Sequence, residues 1–155
     1  HMIRDAGRQP HSDHVMVTRE TASPALAQRL GLPEGEEHTL VFVRRRVLAD
    51  DLPVLYSTDV LPLALFGGQR LDALDFTQPI FSIVEEFCHV KVTKTLAHMR
   101  AVTGSPTIRR QLALRPEQAL MQLDETCYSR LCRPVLCCRT CYTDFFDFAI
   151  VRKLI

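Results

Sequence analysis

The chain contains the same order of structural signals twice, and this repeat constrains its fold more than any other feature. Ser23-Pro24 and Ser105-Pro106 each combine a favoured helix N-cap residue with a proline at the first helical position. After each pair come two leucines at the expected end of a short helix, a strand-like run, and a returning run that contains Pro-Val-Leu. We therefore predict two copies of a unit made of a strand, a helix and a hairpin, joined by residues 60–95.

The first hairpin alternates between two faces, with the period of two that a strand imposes. One face of its outgoing strand is rich in valine and the other carries two arginines: Val41, Val43, Arg45 and Val47 against Phe42, Arg44, Arg46 and Leu48. The valine-rich face is predicted to form the core. Arg44 and Arg46 are predicted to project from the opposite face.

The predicted fold class is α+β. Six predicted strands are connected mostly as hairpins or through helices, which favours a largely antiparallel six-stranded sheet. A helix predicted to begin at Pro79 has an apolar stripe formed by Ile80, Ile83, Val84 and Phe87. We expect the helices on one side of the sheet, and a folded-over sheet that turns the other side into a cleft.

The two ends of the chain differ in character. Residues 1–13 are polar, and the leading His1-Met2 is typical of a remnant of an expression tag, so we expect this remnant and a frayed linker there. The first strand is predicted to start at Val15, within a folded domain of residues 14–155. At the other end, the apolar run Phe145–Val151 is expected either to dock on the domain or to extend the last strand.

Composition and charge exclude several classes of protein. With 155 residues, of which 46% are hydrophobic, the chain suits one domain with its own core. Its 19 basic and 18 acidic side chains are spread along the sequence, so it lacks the basic face of a DNA-binding domain. No apolar run is long enough to cross a bilayer, and the start lacks the apolar core of a signal peptide. We expect a cytoplasmic domain without membrane contact.

The six cysteines raise the question of a metal site. Cys138 and Cys141 have the spacing of a zinc ligand pair, but they lie in a strand-like run, where their side chains would point to opposite faces. A second pair with Cys or His partners is missing from the sequence. We expect no metal and no cofactor, and free buried thiols in a reduced cytosolic protein.

Several short motifs, taken in order, are similar to one known family. They are the run Ser23–Glu36, Arg44-x-Arg46, Leu52-Pro53-Val54, Pro62, Pro79-Ile80-Phe81, Val84-Glu85-Glu86-Phe87, Arg133-Pro134-Val135, Tyr142-x-Asp144 and Phe148. Over roughly residues 14–152 the chain resembles the UTRA effector-binding domain of GntR/HutC-type bacterial transcription regulators. The resemblance implies a chorismate-lyase-like fold, a homodimer and a small-molecule cleft. It also implies that the cleft controls operator DNA binding by an N-terminal winged helix-turn-helix, which is absent from this chain.

The same resemblance implies an anion site at Arg44 and Arg46, which stand where sugar-phosphate sensors hold the anionic group. Guanidinium groups suit this role because they bind phosphate or carboxylate through two parallel hydrogen bonds and stay charged. The alternative is a pair of exposed strand arginines. Pro79, Ser57 and Leu136 replace a serine and two acidic residues of those sensors, so we expect a smaller or more apolar anion, such as an organic acid or a phosphonate.

Four further residues complete the predicted effector site, which is Arg44, Arg46, Ser57, Phe81, His98 and Tyr142. His98 falls where relatives often keep a polar residue facing the ligand, Phe81 could form a wall of the cleft, and Tyr142 corresponds to a tyrosine that often reaches the ligand. Each could instead be purely structural. His98 would then be a histidine whose hydrogen bonds are made within the protein, Phe81 an aromatic core residue on an amphipathic helix, and Tyr142 a hydrogen-bonded strand tyrosine.

Three functions are compared. The first is a ligand-sensing regulatory domain without catalysis. The second is a chorismate-lyase-like enzyme acting on a small carboxylate, for which His98 is the one plausible acid or base among the cleft positions that the resemblance names. The third is a dimerisation module with an empty cleft. The sequence favours the first, because it shows no Gly-rich phosphate loop and no Ser-His-Asp order.

Overall fold

The computed structural model describes residues 2–154. Its helices and strands, in chain order, are α1 (Met2–Asp5), β1 (Pro10–Thr21), α2 (Pro24–Arg29), β2 (Thr39–Ala49), β3 (Leu52–Pro62), α3 (Ile80–Cys88), β4 (Val92–Val102), α4 (Pro106–Gln111), β5 (Leu120–Ser129) and β6 (Pro134–Tyr142). Two short 3₁₀-helices, Leu63–Phe66 and Leu71–Ala73, lie between β3 and α3. The strands form one six-stranded sheet in the order β1-β2-β3-β6-β5-β4, and every neighbouring pair is antiparallel. The predicted α+β class and the antiparallel sheet are confirmed.

The predicted repeat is also visible in the strand order. The units β1-α2-β2-β3 and β4-α4-β5-β6 occupy the two halves of the sheet, with the order of the second half mirrored. The halves meet where β3 pairs with β6, from Leu55 opposite Tyr142 to Val60 opposite Cys137. We call this junction the seam.

The two short helices begin in the same way. The side chain of Ser23 accepts a hydrogen bond from the backbone N–H of Leu26, and Ser105 accepts one from Ile108, both at 3.3 Å. Each serine satisfies one of the N–H groups that a helix leaves without an internal partner. The cap chemistry predicted for both copies is therefore present.

The two short helices also end in the same way. The residue after the cap has a positive φ in both, 61° at Gly31 and 48° at Ala113. The next N–H, from Leu32 or Leu114, bonds back to a carbonyl in the helix at 2.9 or 3.0 Å. This is the Schellman ending, for which glycine is the preferred residue because it has no Cβ. The second copy keeps the ending with an alanine in the left-handed conformation.

Helices cover both faces of the sheet, so the prediction of helices on one side is wrong. α3 and the 3₁₀-helices pack on one side, which we call the α3 face, with Val41, Val43, Phe66, Ile83 and Val84 fully buried between them. α2 and α4 pack on the reverse side, which we call the α2–α4 face. Leu30 and Leu112, at the ends of these short helices, are buried there in two further clusters. Each copy brings its own helix to this face, and that is why both faces are covered.

The first strand is longer than predicted. β1 begins at Pro10 rather than Val15, and pairs with β2 from Pro10 opposite Ala49, with a register shift between Asp13 and Met16. The frayed linker expected over residues 1–13 is therefore wrong for residues 10–13. α1 precedes β1, and its Ile3 is buried, with 1% of its surface exposed. The polar composition of residues 10–13 was misleading, because polar side chains on an edge strand can stay in contact with solvent or form hydrogen bonds with the neighbouring strand.

The C-terminal apolar run docks on the domain and does not extend β6. The ring of Tyr142 makes edge-to-face contacts with Phe146 and Phe148, both at 5.0 Å between ring centroids. Residues Ile150 and Val151 are exposed. Among residues 2–154, no helix has the length and apolar character needed to cross a bilayer.

Candidate functional site

A cavity of about 620 Å³ lies between the α3 face of the sheet, the start of α3 and α1. We call it the α3-face cavity. It is lined from the sheet by Pro10, Ser12, Arg45, Val47, Leu55, Ser57, Asp59, Glu125, Cys138, Thr140 and Tyr142, and from outside the sheet by Met2, Ile3, Arg4, Thr77, Pro79, Ile80, Phe81 and Phe146. The cavity crosses the seam, so both copies of the repeat contribute to its wall.

The strand register sorts the wall of this cavity into rows. Residues directly opposite one another on neighbouring strands share a face. One row is Asp59, Cys138 and Glu125; the next is Arg45, Ser57 and Thr140; the third is Val47, Leu55 and Tyr142. The first two rows are polar and the third is largely apolar. A ligand in this cavity therefore meets polar groups on one side and an apolar wall on the other.

Asp59 of the first row and Arg45 of the second row form a buried ion pair. Arg45 is 4% exposed and Asp59 1% exposed, and Arg45 Nη2 donates to Asp59 Oδ2 at 2.9 Å. Arg45 Nη1 donates to the carbonyl of Phe76 at 3.2 Å and also to that of Gln78. The Ser57 hydroxyl donates to the same Asp59 oxygen at 3.3 Å. The guanidinium is thus held firmly in place by groups from β3 and from the loop before α3.

One nitrogen of this guanidinium has no hydrogen-bond acceptor. Among the residues that the structure describes, Arg45 Nε is the one buried side-chain nitrogen or oxygen atom without a hydrogen-bond partner. Buried polar groups in folded proteins are almost always paired, and leaving one unpaired costs about 1–3 kcal/mol. Arg45 also lines the α3-face cavity, so this unpaired donor lies within the wall of the candidate site.

The start of α3 is a second feature that favours a hydrogen-bond acceptor in the α3-face cavity. Pro79 is the N-cap residue and gives no side-chain cap, and the first turn contains no acidic residue. Pro79, Ile80 and Phe81 all line the α3-face cavity. The uncapped N–H groups of a helix start, together with the helix dipole, favour an anion nearby.

Burial shifts the acid–base behaviour of the cavity wall. It raises the pKa of Asp59, against the opposing effect of Arg45, and it raises the pKa of Glu125. Burial, helped by the negative charge of Glu125, raises the pKa of Tyr142 to about 12. Between Asp59 and Glu125 lies Cys138, whose thiol pKa is raised by its hydrogen bond with Cys127 and by burial. The wall therefore holds two carboxyl groups that bind a proton more readily than usual.

The six predicted site residues do not converge on one site. Ser57, Phe81 and Tyr142 line the α3-face cavity. Arg44 and Arg46 lie on the α2–α4 face, because strand alternation turns them away from Arg45. The expectation that the two arginines share a cleft with Phe81 and Tyr142 is wrong.

Arg44 and Arg46 instead tie β2 to β1. Arg44 donates two hydrogen bonds to Glu20 at 3.1 Å, and Arg46 binds both carboxylate oxygens of Asp13, at 2.7 and 2.6 Å. Arg44 also lines a smaller cavity of about 410 Å³ on the α2–α4 face. His98 is exposed on the edge strand β4. Effector binding by Arg44, Arg46 and His98 stays a prediction.

The sequence reasoning missed Arg45, Asp59 and Glu125 as cavity residues. A signal was available for the first two: a lone arginine in a valine-rich strand face must find an acid, and Asp59 lies on the returning strand of the same hairpin. For Glu125 no comparable signal exists, because its neighbours in the cavity come from β3 and β6 through the seam.

The cysteines follow the predicted pattern with one exception. Cys88, Cys127, Cys137, Cys138 and Cys141 are buried and free, whereas Cys132 is exposed. Burial raises the pKa of the Cys88 thiol to about 11, so this thiol is poorly reactive. Within residues 2–154, no three His, Cys, Asp or Glu side chains are grouped closely enough to hold a metal ion.

The comparison with known families decides what kind of domain this is. The family model for the UTRA domain matches residues 5–144. The chain belongs to the UTRA domain family. No curated protein matches this UTRA domain in sequence.

Solved structures agree with this family. The ligand-binding domain of a putative GntR-family transcriptional regulator from Bordetella bronchiseptica superimposes with a TM-score of 0.82, at 26% identity, over 94% of this UTRA domain and 90% of that chain. The effector domain of PhnF from Mycobacterium smegmatis superimposes with a TM-score of 0.86 over 98% of this chain and 92% of that one. At 18% identity this second likeness shows the fold alone.

A longer PhnF structure shows how a domain of this size relates to a whole chain. The UTRA domain covers 65% of that chain, so it spans less than two thirds of its length. Neighbours of this UTRA domain are thus domains of transcription regulators, which agrees with a role in effector-dependent regulation.

Proposed function

We propose that this UTRA domain is the effector-sensing and dimerisation domain of a cytoplasmic GntR/HutC-type transcription regulator. A small anionic metabolite occupies the α3-face cavity and controls the binding of operator DNA by a winged helix-turn-helix domain outside this chain. The domain itself carries out no reaction.

The observation that supports this proposal is the unpaired Nε of Arg45 beside the uncapped start of α3. Arg45 and the first residues of α3 line the same cavity. A carboxylate or phosphate placed between them would accept a charge-assisted hydrogen bond from Arg45 and lie in the favourable field of the helix. Among residues 2–154, Arg45 Nε has no hydrogen-bond acceptor and the start of α3 has no side-chain cap.

The size of the cavity suits a small molecule. Small-molecule sites usually measure about 300–1,000 Å³ and combine an apolar wall with a few placed polar groups. The α3-face cavity, at about 620 Å³, has this composition. Its apolar row of Val47, Leu55 and Tyr142 supports the expectation of an organic acid or a phosphonate rather than a sugar phosphate.

Support for dimerisation comes from β4. This strand lies at the edge of the sheet, and almost all of its side chains are exposed. Leu96 is 53% and Met99 44% exposed, on a strand with unpaired backbone groups along its outer side. A long exposed edge of this kind is normally covered. Light scattering on the purified domain, with Leu96→Lys as the disrupting variant, tests for a homodimer.

One feature favours the alternative of a chorismate-lyase-like enzyme. Glu125 is a half-buried carboxyl in the cavity, with a raised pKa of the kind that suits a general acid. An assay of chorismate turnover separates the two functions. Measurable turnover that is lost in Glu125→Gln would replace the proposed sensor by an enzyme.

The main experiment compares two neighbouring residues of β3 that face opposite sides of the sheet. Ser57 lines the α3-face cavity and Thr58 lines the cavity beside Arg44. Small carboxylates, phosphates and phosphonates are titrated into wild type, Ser57→Val and Thr58→Val by calorimetry. We expect a ligand whose affinity falls at least about tenfold in Ser57→Val, because valine places an apolar side chain in the polar row and removes the hydrogen bond to Asp59, and stays within about twofold in Thr58→Val.

The same titrations test the site predicted from the sequence. If Thr58→Val and the double variant Arg44→Ala with Arg46→Ala abolish binding while Ser57→Val does not, the effector site lies on the α2–α4 face. If no anion binds wild type, the sensor function proposed for this cavity fails.

A further inference from the structure

We propose that the effector carries a protonated amine as well as its anionic group, and that Glu125 binds this amine. The inference rests on the proposed function, because it assumes an effector in the α3-face cavity. It defines the ligand as a zwitterion.

The first step concerns the charges that line the cavity. Four ionisable groups of formal charge at neutral pH border it: Arg4, Arg45, Asp59 and Glu125. Arg45 and Asp59 already neutralise each other through their contact at 2.9 Å. Glu125 has no such partner, since none of the salt bridges among residues 2–154 includes it. The carboxylate left over on the sheet wall is therefore that of Glu125.

The second step concerns the surroundings of this side chain. Across β6 it faces Cys138 and then Asp59, with Tyr142 also near enough to feel its charge. From β4, Thr95 gives it a hydrogen bond. Arg29 reaches only the backbone carbonyl of Glu125, at 3.0 Å. The groups that face this side chain from the sheet are thus neutral or acidic, and a cationic ligand group would be a strong partner for it alongside Arg4, which lines the cavity from α1.

The third step concerns the positions of the two ends. Arg45 on β2 and Glu125 on β5 are separated by three strand spacings, roughly 14 Å at the backbone. Both side chains line the cavity between them. A ligand that reaches both has its acidic and basic groups several bonds apart, so an ω-amino acid fits this distance better than an α-amino acid.

The raised pKa of Glu125 agrees with this assignment. Burial and the nearby Asp59 raise it, and Thr95 offsets only part of the effect. A protonated amine at hydrogen-bonding distance stabilises the carboxylate and removes the reason for the shift. The protein groups around Glu125 therefore disfavour its charged form, which a cationic ligand group would stabilise.

The test uses matched pairs of ligands that differ only in the amine. The probes are 3-aminopropanoate to 6-aminohexanoate against propanoate to hexanoate, and 2-aminoethyl phosphate against ethyl phosphate. They are titrated at pH 7.5 into wild type, Glu125→Gln and the control Glu117→Gln, which removes the same charge from an exposed residue. We expect at least one amine-bearing probe to bind wild type and Glu117→Gln about tenfold or more tightly than its partner, and Glu125→Gln to lose this preference.

The outcomes separate the inference from the proposed function. If the carboxylates and phosphates without an amine bind wild type as tightly as their partners, the effector is a simple anion; the proposed function stands and the inference is wrong. If the amine improves binding equally in Glu125→Gln, the amine lies elsewhere and the inference is again wrong. If no probe in either series binds, the proposed function fails and the inference fails with it.

Discussion

Arg45 and Asp59 form an ion pair across the β2–β3 hairpin, with 2.9 Å between Nη2 and Oδ2 and both side chains almost completely buried. The pair sits in the same layer as the valine core and also forms part of a cavity wall. It therefore contributes to folding and to the electrostatics of the candidate site, and the two contributions can be measured separately.

Removing the acid of this pair should strongly destabilise the domain. Asp59→Ala leaves the Arg45 guanidinium buried without a counterion, and breaking a buried pair in this way costs about 3–5 kcal/mol. The control is Asp72→Ala, which removes an exposed ion pair with Arg70 and should cost less than about 1 kcal/mol. Urea unfolding followed by far-ultraviolet circular dichroism gives both values. Similar losses in the two variants would mean that the buried pair is not structural.

The ion pair between Arg46 and Asp13 should appear in the pH dependence of stability. The hydrogen bond from Arg46 holds the pKa of Asp13 below its usual value. The unfolded chain therefore binds a proton at Asp13 more readily, so this stabilisation is present above about pH 4 and is lost as pH falls through the folded pKa. Between pH 6 and pH 3, the free energy of unfolding should fall less steeply in Asp13→Asn than in wild type. Parallel curves would contradict this.

The duplicated helix endings predict opposite effects of exchanging glycine and alanine. Ala113→Gly relieves a left-handed alanine and should stabilise the domain by about 0.5–1 kcal/mol. Gly31→Ala should destabilise it by more than that. The new alanine would have to adopt the same positive φ, and its Cβ would lie 3.2 Å from Pro134 Cγ. Thermal unfolding of both variants is the measurement. A loss of stability in Ala113→Gly would show that the alanine side chain contributes more than its backbone costs.

Binding of an amine-bearing effector should weaken as pH falls. The pKa of Glu125 is raised by burial, so protonation removes the carboxylate at a higher pH than for an ordinary glutamate. Of its neighbours, Asp59 also has a pKa raised by burial, which Arg45 opposes, whereas the pKa values of the Cys138 thiol and the Tyr142 hydroxyl are raised further above neutral pH and Thr95 carries no charge. With 3-aminopropanesulfonate, whose own acid stays ionised, affinity for wild type should decline as the pH falls from 7.5 through the raised pKa of Glu125, and so above the range of an ordinary glutamate. In Glu125→Gln it should stay nearly constant over that range.

Local chemistry was the most predictable part of this fold. The starts of α2 and α4 follow from Ser-Pro pairs, and the β2–β3 hairpin follows from alternation and from the turn after Ala49. These signals act over a few residues, so the sequence alone can contain them. The start of β1 at Pro10 could not be found this way, because its polar side chains are satisfied by residues of β2.

The candidate site was harder to predict because it depends on long-range pairing. Alternation correctly separates Arg45 from Arg44 and Arg46, but it does not say which face holds the cavity. That depends on α3 packing on one side and α2 and α4 on the other. Ser57, Phe81 and Tyr142 were placed in the site through family resemblance, whereas Glu125 reaches the cavity only because β5 pairs with β6 and β6 with β3.

The seam between β3 and β6 runs through the wall of the α3-face cavity. Ser57 and Asp59 belong to the first duplicated half, and Cys138, Thr140 and Tyr142 belong to the second. A molecule bound among them would therefore contact both halves of the sheet at once. Because α2 and α4 belong to different halves and pack on the far side of the sheet, any change in the pairing of β3 with β6 would also alter the position of one helix relative to the other.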